Sequence, residues 1–275
     1  LDQLLTGTRW NGGTITYGFP ITTANMSGST ELASFSPLNS VQQDAAKLAL
    51  QLWSDLIPQN IVQSTGATDI EFGLTSDGVN YASTYFPTGG TVWFNKNETS
   101  LTSPIIGQHS FISYIHEIGH ALGLDHMGDY NGSGTWTPSS YQDSTVYTVE
   151  SYFGPDWGKG NDQVAWADWT GSGEIVYAPQ TPQLNDIMAI QKIYGASSLT
   201  RTDDTIYGFN SNITDVTKQI YNFVDNKNPI LSIYDSAGTD TLDLSGWKDN
   251  ETIDLRPGKF SSGNSMTNNI SIAYN

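Results

Sequence analysis

The sequence predicts an α+β protein in two parts: a sheet-and-helix domain over residues 1–196 that carries a metal cleft, then a β-rich unit over 197–275. Three observations carry that prediction. Two stretches, 39–56 and 111–122, space their apolar residues as helices do, and short strand-like runs lie between them. From about residue 200 the pattern changes to short apolar runs divided by Asn, Asp and Gly. Finally, His116-Glu117-Ile118-Gly119-His120-Ala121-Leu122-Gly123-Leu124-Asp125-His126 reads H-E-x-x-H-x-x-G-x-x-H.

The elements follow in order. Residues 1–13 are an entry segment. Thr14–Phe19 alternates as a strand and stops at Pro20, and 21–38 is a Ser/Thr/Pro-rich loop. Asn39 or Ser40 caps a helix to about Leu56, with Val41, Ala45, Leu48, Leu52 and Leu56 as its apolar stripe. Strands are predicted at 60–64, 69–74, 81–86 and 91–95. Residues 127–182 show little periodicity but hold four of the eight tryptophans, which argues for a packed irregular lobe walling the cleft. Leu184–Tyr194 is a helix stopped by Gly195. Short strands are predicted at 205–209, 219–224, 230–234, 240–244, 252–255 and 269–274.

The histidine motif has a mechanical basis. His116 and His120 lie one turn apart on one helix face, so two imidazoles can hold one Zn²⁺. Gly123 can take the left-handed conformation that ends a helix, so the chain turns back and brings His126 in as third ligand. Three protein ligands leave one position open, as catalytic zinc requires. Glu117 beside the first ligand is placed as a general base. Three of the chain's four histidines fall inside the motif. The fourth, His109, is outside the spacing and reads as a polar residue before the helix. The competing interpretation, a surface helix with incidental histidines, does not account for that clustering.

Composition sets the bounds. Eleven basic residues face 28 acidic ones, a net charge of −17, which repels nucleic acid and anionic membranes and suits Ca²⁺. There is no cysteine, so no disulfide can form, which in a secreted protein leaves metals or core packing to stabilise the fold. Only 14% of residues are charged and 12% are aromatic, which fits a loop-rich extracellular protein rather than a disordered acidic one. No apolar run approaches membrane-spanning length. A monomer is expected.

The long motif is the metzincin signature, and within that clan the chain resembles the serralysins, secreted bacterial zinc metalloproteases. The likeness rests on HEIGHALGLDH at 116–126 followed by GDYN at 128–131. It continues through LNDIMAIQKIYG at 184–195, TRTDDTIYGFNSN at 200–212, DSAGTDTLDLSG at 235–246 and NISIAYN at 269–275. The resemblance implies a twisted, mostly parallel sheet with two long helices, protein or peptide substrates, a small proteinaceous inhibitor and an extracellular location. It also implies that the strand carrying Thr91, Val92, Trp93 and Phe94 is the sheet edge along which substrate lies. Tyr152 takes the family's oxyanion-stabilising role. A calcium site is implied too, from the side chains of Asp235 and Asp240 and the backbone carbonyls of Arg201, Asp203, Thr205 and Ala237, with Gly238 serving a second ion.

Two departures stand out. The family's glycine-rich calcium-binding repeats are absent, and Asn275 falls about where they begin, as expected of a truncated or short form. The family's methionine turn, V-M-S-Y, is here Val149-Glu150-Ser151-Tyr152, so Glu150 stands where a thioether packs under the histidines. Two functions follow: a zinc endopeptidase, or a metzincin-fold binding module or variant impaired by Glu150.

Overall fold

Five strands build the main sheet: β1 (Thr14–Gly18), β2 (Asn60–Gln63), β3 (Ile70–Thr75), β4 (Ala82–Thr84) and β5 (Thr91–Asn95). Their order is β2-β1-β3-β5-β4 in this computed structural model, which describes residues 1–132, 136–160, 162–171 and 173–274. All neighbours are parallel except β4, which runs antiparallel to β5 at one edge. The sheet is therefore mostly parallel. β3 and β5 are buried along nearly their whole length, as strands covered on both faces must be.

Two long helices pack on the sheet, α1 (Ser40–Ser54) and α3 (His109–Ala121), with the one-turn α2 (Thr99–Thr102) between them. Asn39 begins α1 with a capping box, its side chain accepting from Gln42 N–H while Gln42 accepts from Asn39 N–H. The buried face of α1 is Ala46, Leu48, Ala49, Leu52 and Trp53, whereas Val41 is half exposed. The expected stripe was rotated at its start, because the capping box turns Gln42 inward and Val41 out. Trp53 donates its indole N–H to the Ile115 carbonyl, and Phe94 stacks on Tyr114 with ring centres 4.2 Å apart. Those contacts fix α3 against both α1 and the sheet.

Residues after α3 run irregularly to α4 (Leu184–Tyr194), in keeping with the predicted lobe; Trp169 is buried in it, while Trp136 and Trp157 are half exposed. Residues 133–135, 161 and 172 of that stretch, and Asn275, lie outside the described residues.

The last part holds β6 (Ile206–Gly208), the one-turn α5 (Lys218–Tyr221), β7 (Leu231–Ile233), β8 (Thr241–Asp243), β9 (Phe260–Ser261) and β10 (Ile270–Ile272). They form a two-stranded β6-β8 sheet and a three-stranded β7-β10-β9 sheet. The strand expected at 219–224 is instead the helical turn α5. Asp215 Oδ1 accepts from both the N–H and the hydroxyl of Thr217 and so starts a turn there. The strand expected at 252–255 is reduced to a single bridge between Thr252 and Ser262. One apolar cluster runs from Leu4 through the two long helices to Ala273, so both parts share a core. Among the described residues, no helix is long and apolar enough to cross a membrane.

Candidate metal centre

His116, Glu117 and His120 project from α3, which ends in a Schellman motif. Gly123 has φ +105°, its N–H reaches the His120 carbonyl, and the Leu124 N–H reaches the Gly119 carbonyl. A Cβ at Gly123 would meet the Thr8 carbonyl at 2.3 Å, so glycine is also needed for the entry segment to pass. The Asp125 N–H donates to the Leu4 carbonyl, and Asp125 Oδ1 accepts from His126 N–H. This return turn delivers His126 to the other two histidines.

The three Nε2 atoms converge: 3.0 Å between His116 and His120, 3.1 Å between His120 and His126, and 3.3 Å between His126 and His116. Among the described residues they form the one cluster of three or more His, Asp or Glu donors. His116 Nδ1 lies 2.8 Å from the Val149 carbonyl and His120 Nδ1 2.9 Å from the Leu124 carbonyl, and His126 has a backbone hydrogen bond with Tyr130. A carbonyl accepts only, so the protons of His116 and His120 sit on Nδ1 and their Nε2 lone pairs face each other. Lone pairs converging at about 3 Å repel one another and suit a cation shared among them. The edge of a zinc–nitrogen tetrahedron, with bonds of about 2.0–2.1 Å, matches this spacing. Burial and, for each ring, a neighbouring histidine push all three pKa values down to about 3, so the rings are neutral ligands at neutral pH.

Glu117 is 5% exposed, and burial raises its carboxyl to about 7 against the opposing pull of a hydrogen bond from Thr84. The Thr84 hydroxyl donates to Glu117 Oε2 over 2.7 Å. Tyr152 sets its ring 4.7 Å from His126 and 6.3 Å from His116, while Trp136 covers it at 5.3 Å. A cleft of about 400 Å³ opens between α3 and the 145–154 segment, lined by His116, Glu117, Ile112, Val149 and Tyr152. His109 is the first residue of α3 rather than a loop residue. It also lines the cleft, with its ring 5.2 Å from Tyr81.

The substrate edge requires a correction. Thr91, Val92, Trp93 and Phe94 are at most 1% exposed, and β5 is paired on both sides. On that side of the sheet the free edge is β4, and β2 is the opposite edge. The short hairpin partner of β5 was visible in the sequence as 81–86, but its outer position comes from antiparallel pairing that periodicity does not encode.

Glu150 is fully buried directly under the site. Its Oε2 lies 3.0 Å from His116 Nδ1 and 3.6 Å from His120 Nε2, and neither carboxyl oxygen makes a hydrogen bond. Burial, then the nearby carboxylates of Asp186, Glu117 and Asp125, push its pKa well above the ordinary carboxylate range. Gly119 makes room for it, since a Cβ there would sit 2.1 Å from Glu150 Oε1. The histidines still converge above it, so the geometry gives no support to an impaired site. Sequence reasoning missed the frame of this turn. Asp186 accepts from Thr148 Oγ1 (2.5 Å), Val149 N–H (2.8 Å) and Gln183 N–H (2.7 Å). Asp143 accepts from the hydroxyls of Tyr130 and Ser151. These acids come from segments far apart in sequence, and no spacing rule joins them.

The expected calcium residues are partly gathered. Asp240 Oδ1 accepts from Thr205 N–H, and both it and the Asp203 carbonyl lie within 3 Å of where a Gly238 Cβ would be. Asp235 is turned to the Tyr207 hydroxyl and to Ala237 N–H. The Thr205 carbonyl accepts from Thr241 N–H. The Arg201 side chain is committed to Asp55 at 2.6 Å, with its backbone at φ +48°.

A family model described as Peptidase M10 serralysin C terminal matches residues 196–275. The chain is 38% identical over 260 residues to a serralysin of Photorhabdus laumondii, covering 88% of this chain and 51% of the relative. It is 35% identical over 291 residues to serralysin B of Dickeya chrysanthemi (97% and 57%), and 34% identical over 279 residues to metalloprotease AprA of Pseudomonas entomophila (95% and 55%). It thus spans about half the length of these relatives. Likeness along nearly the whole chain, with the three-histidine centre inside the matched region, makes this chain a member of the serralysin family.

Proposed function

We propose that the protein is a secreted zinc endopeptidase that hydrolyses peptide bonds within extended protein or peptide substrates. The observation that supports it most is the trio of Nε2 lone pairs beside a buried carboxylate at an open cleft. His116, His120 and His126 would hold Zn²⁺. When bound, the ion supplies Lewis-acid polarisation of a carbonyl and lowers the pKa of water.

The chain's own residues do the rest. β4 offers its free edge to an extended peptide, which adds as a further strand and lays its scissile bond over the histidines. Glu117 takes a proton from the attacking water and returns it to the departing amine. A carboxyl held near 7 is suited to both tasks at neutral pH. The Tyr152 hydroxyl donates to the oxyanion as the tetrahedral carbon forms. Asp203, Gly238 and Asp240, with Arg201, Thr205, Asp235 and Ala237, form the calcium set of a β-rich unit over 197–275. A small inhibitor protein would occupy the same cleft.

The test is Glu117→Gln. It should keep one zinc per chain and lose casein hydrolysis by about 10²–10⁴-fold, the worth of a general base. Hydrolysis at the wild-type rate would remove Glu117 from the mechanism.

A further inference from the structure

Thr84 stands at a junction that the reaction uses from two sides. Among the described residues, its hydroxyl provides the one hydrogen bond that reaches the Glu117 carboxylate, at 2.7 Å onto Oε2. Glu117 is buried but lines the cleft, and no other hydrogen bond among the described residues fixes the torsion of its carboxyl group.

The backbone of the same residue faces the free edge of the sheet. In the β4–β5 pair, Tyr85 N–H donates to the Thr91 carbonyl and Asn95 N–H to the Tyr81 carbonyl. In an antiparallel ladder the residues at positions 81, 83 and 85 therefore point their polar groups inward to β5. Those at 82 and 84 point theirs outward. The Thr84 N–H and carbonyl thus lie on the free edge, where an extended peptide pairs. Its side chain, sharing a face with that of Ala82, turns to α3.

We propose that Thr84 is a positioning residue: its hydroxyl holds Glu117 Oε2 and leaves Oε1 directed at water, while its backbone seats the substrate strand. This rests on the endopeptidase reading above. One residue then sets the distance between the peptide carbonyl and the base. A strand that pairs out of register would lose that alignment without any change at the histidines. A valine keeps the shape and the backbone pairing and removes only the hydroxyl, which separates the two roles.

The experiment compares wild type, Thr84→Val, Thr84→Ala and Thr84→Ser. It records zinc per chain, kcat and KM on a fluorogenic peptide, and the dissociation constant of a peptide hydroxamate measured by calorimetry. A hydroxamate donates a hydrogen bond to the base, so its affinity reports the carboxylate's orientation without turnover. The expected result is one zinc per chain throughout and an unchanged KM. For Thr84→Val and Thr84→Ala, kcat and hydroxamate affinity should fall about ten- to a hundredfold, the worth of a hydrogen bond to a charged group, and Thr84→Ser should restore both. Wild-type kcat and hydroxamate affinity in Thr84→Val and Thr84→Ala would overturn the role of Thr84 alone. A loss that Thr84→Ser does not restore would also overturn it, because the β-branch rather than the hydroxyl would then matter. If wild type itself binds no zinc and cleaves nothing, the endopeptidase reading falls and takes this inference with it.

Discussion

Two fully buried carboxyls lie close together around one turn, and they are treated in opposite ways. Asp186 is saturated: a hydroxyl and two backbone N–H groups hold its oxygens and clamp residues 148–149 to the start of α4. Glu150 is not held in this way: its backbone is tied by Thr148 Oγ1 and Met127 N–H, yet neither of its carboxyl oxygens makes a hydrogen bond, although Oε2 lies close to the His116 and His120 rings. Burial raises Asp186 to about 7 and Glu150 well above its ordinary value. The first carboxyl builds the turn. The second occupies the seat that the turn creates beneath the histidines. A buried carboxyl without a hydrogen bond is costly, and the hydrogen bonds that frame the turn come from Asp186 and Asp143 rather than from the Glu150 carboxyl in the seat.

Breaking the saturated carboxyl should have the largest effect. Asp186→Ala strands two buried N–H groups and a hydroxyl, at about 3–5 kcal/mol of unfolding free energy by denaturant titration. Zinc per chain should fall with it, since the Val149 carbonyl that orients His116 moves with the turn. Replacing the Glu150 carboxyl should act in the other direction. Glu150→Met in metal-free protein should gain about 1–3 kcal/mol, because an unsatisfied group is removed. It should keep one zinc per chain.

That gain should depend on pH. A raised folded-state pKa means the fold retains a proton that the unfolded chain releases above about 4.3. Glu150 therefore contributes its stability below that pH and loses it as pH rises. The advantage of Glu150→Met should widen from pH 5 to pH 8 in thermal melts of the metal-free protein; a gap that narrows would mean Glu150 is ionised and paired in the fold. The smallest effect is a coupling. Gly119→Ala places a Cβ against Glu150 Oε1, so its cost should shrink by about 1 kcal/mol in an Glu150→Ala background. Additive costs would mean that Trp53, the other neighbour of that Cβ, sets the limit instead.

The same contrast separates what was legible in the sequence from what was not. His116, His120 and His126 follow from helix periodicity and one glycine turn, all within eleven residues, so local rules sufficed. The long helices and most strands were legible for the same reason. The free edge was misplaced by one strand, because pairing partners are chosen by tertiary contacts rather than by alternation. Residues 219–224 carry a strand-like composition, and the Asp215 turn overrode it. Thr84, Asp143 and Asp186 reach the site from 33, 8 and 37 residues away from the groups they hold, where no motif connects them. Glu150 was visible as a departure, but the lack of a hydrogen bond to its carboxyl is a fact of packing.

The most direct test of the account is zinc content measured alongside casein hydrolysis, before and after treatment with 1,10-phenanthroline, which strips zinc and leaves calcium. The account predicts one zinc per chain, loss of hydrolysis with the metal, and recovery on adding back one equivalent of Zn²⁺. Hydrolysis that survives complete removal of zinc, or a chain that holds no zinc while all three histidines are intact, would contradict it.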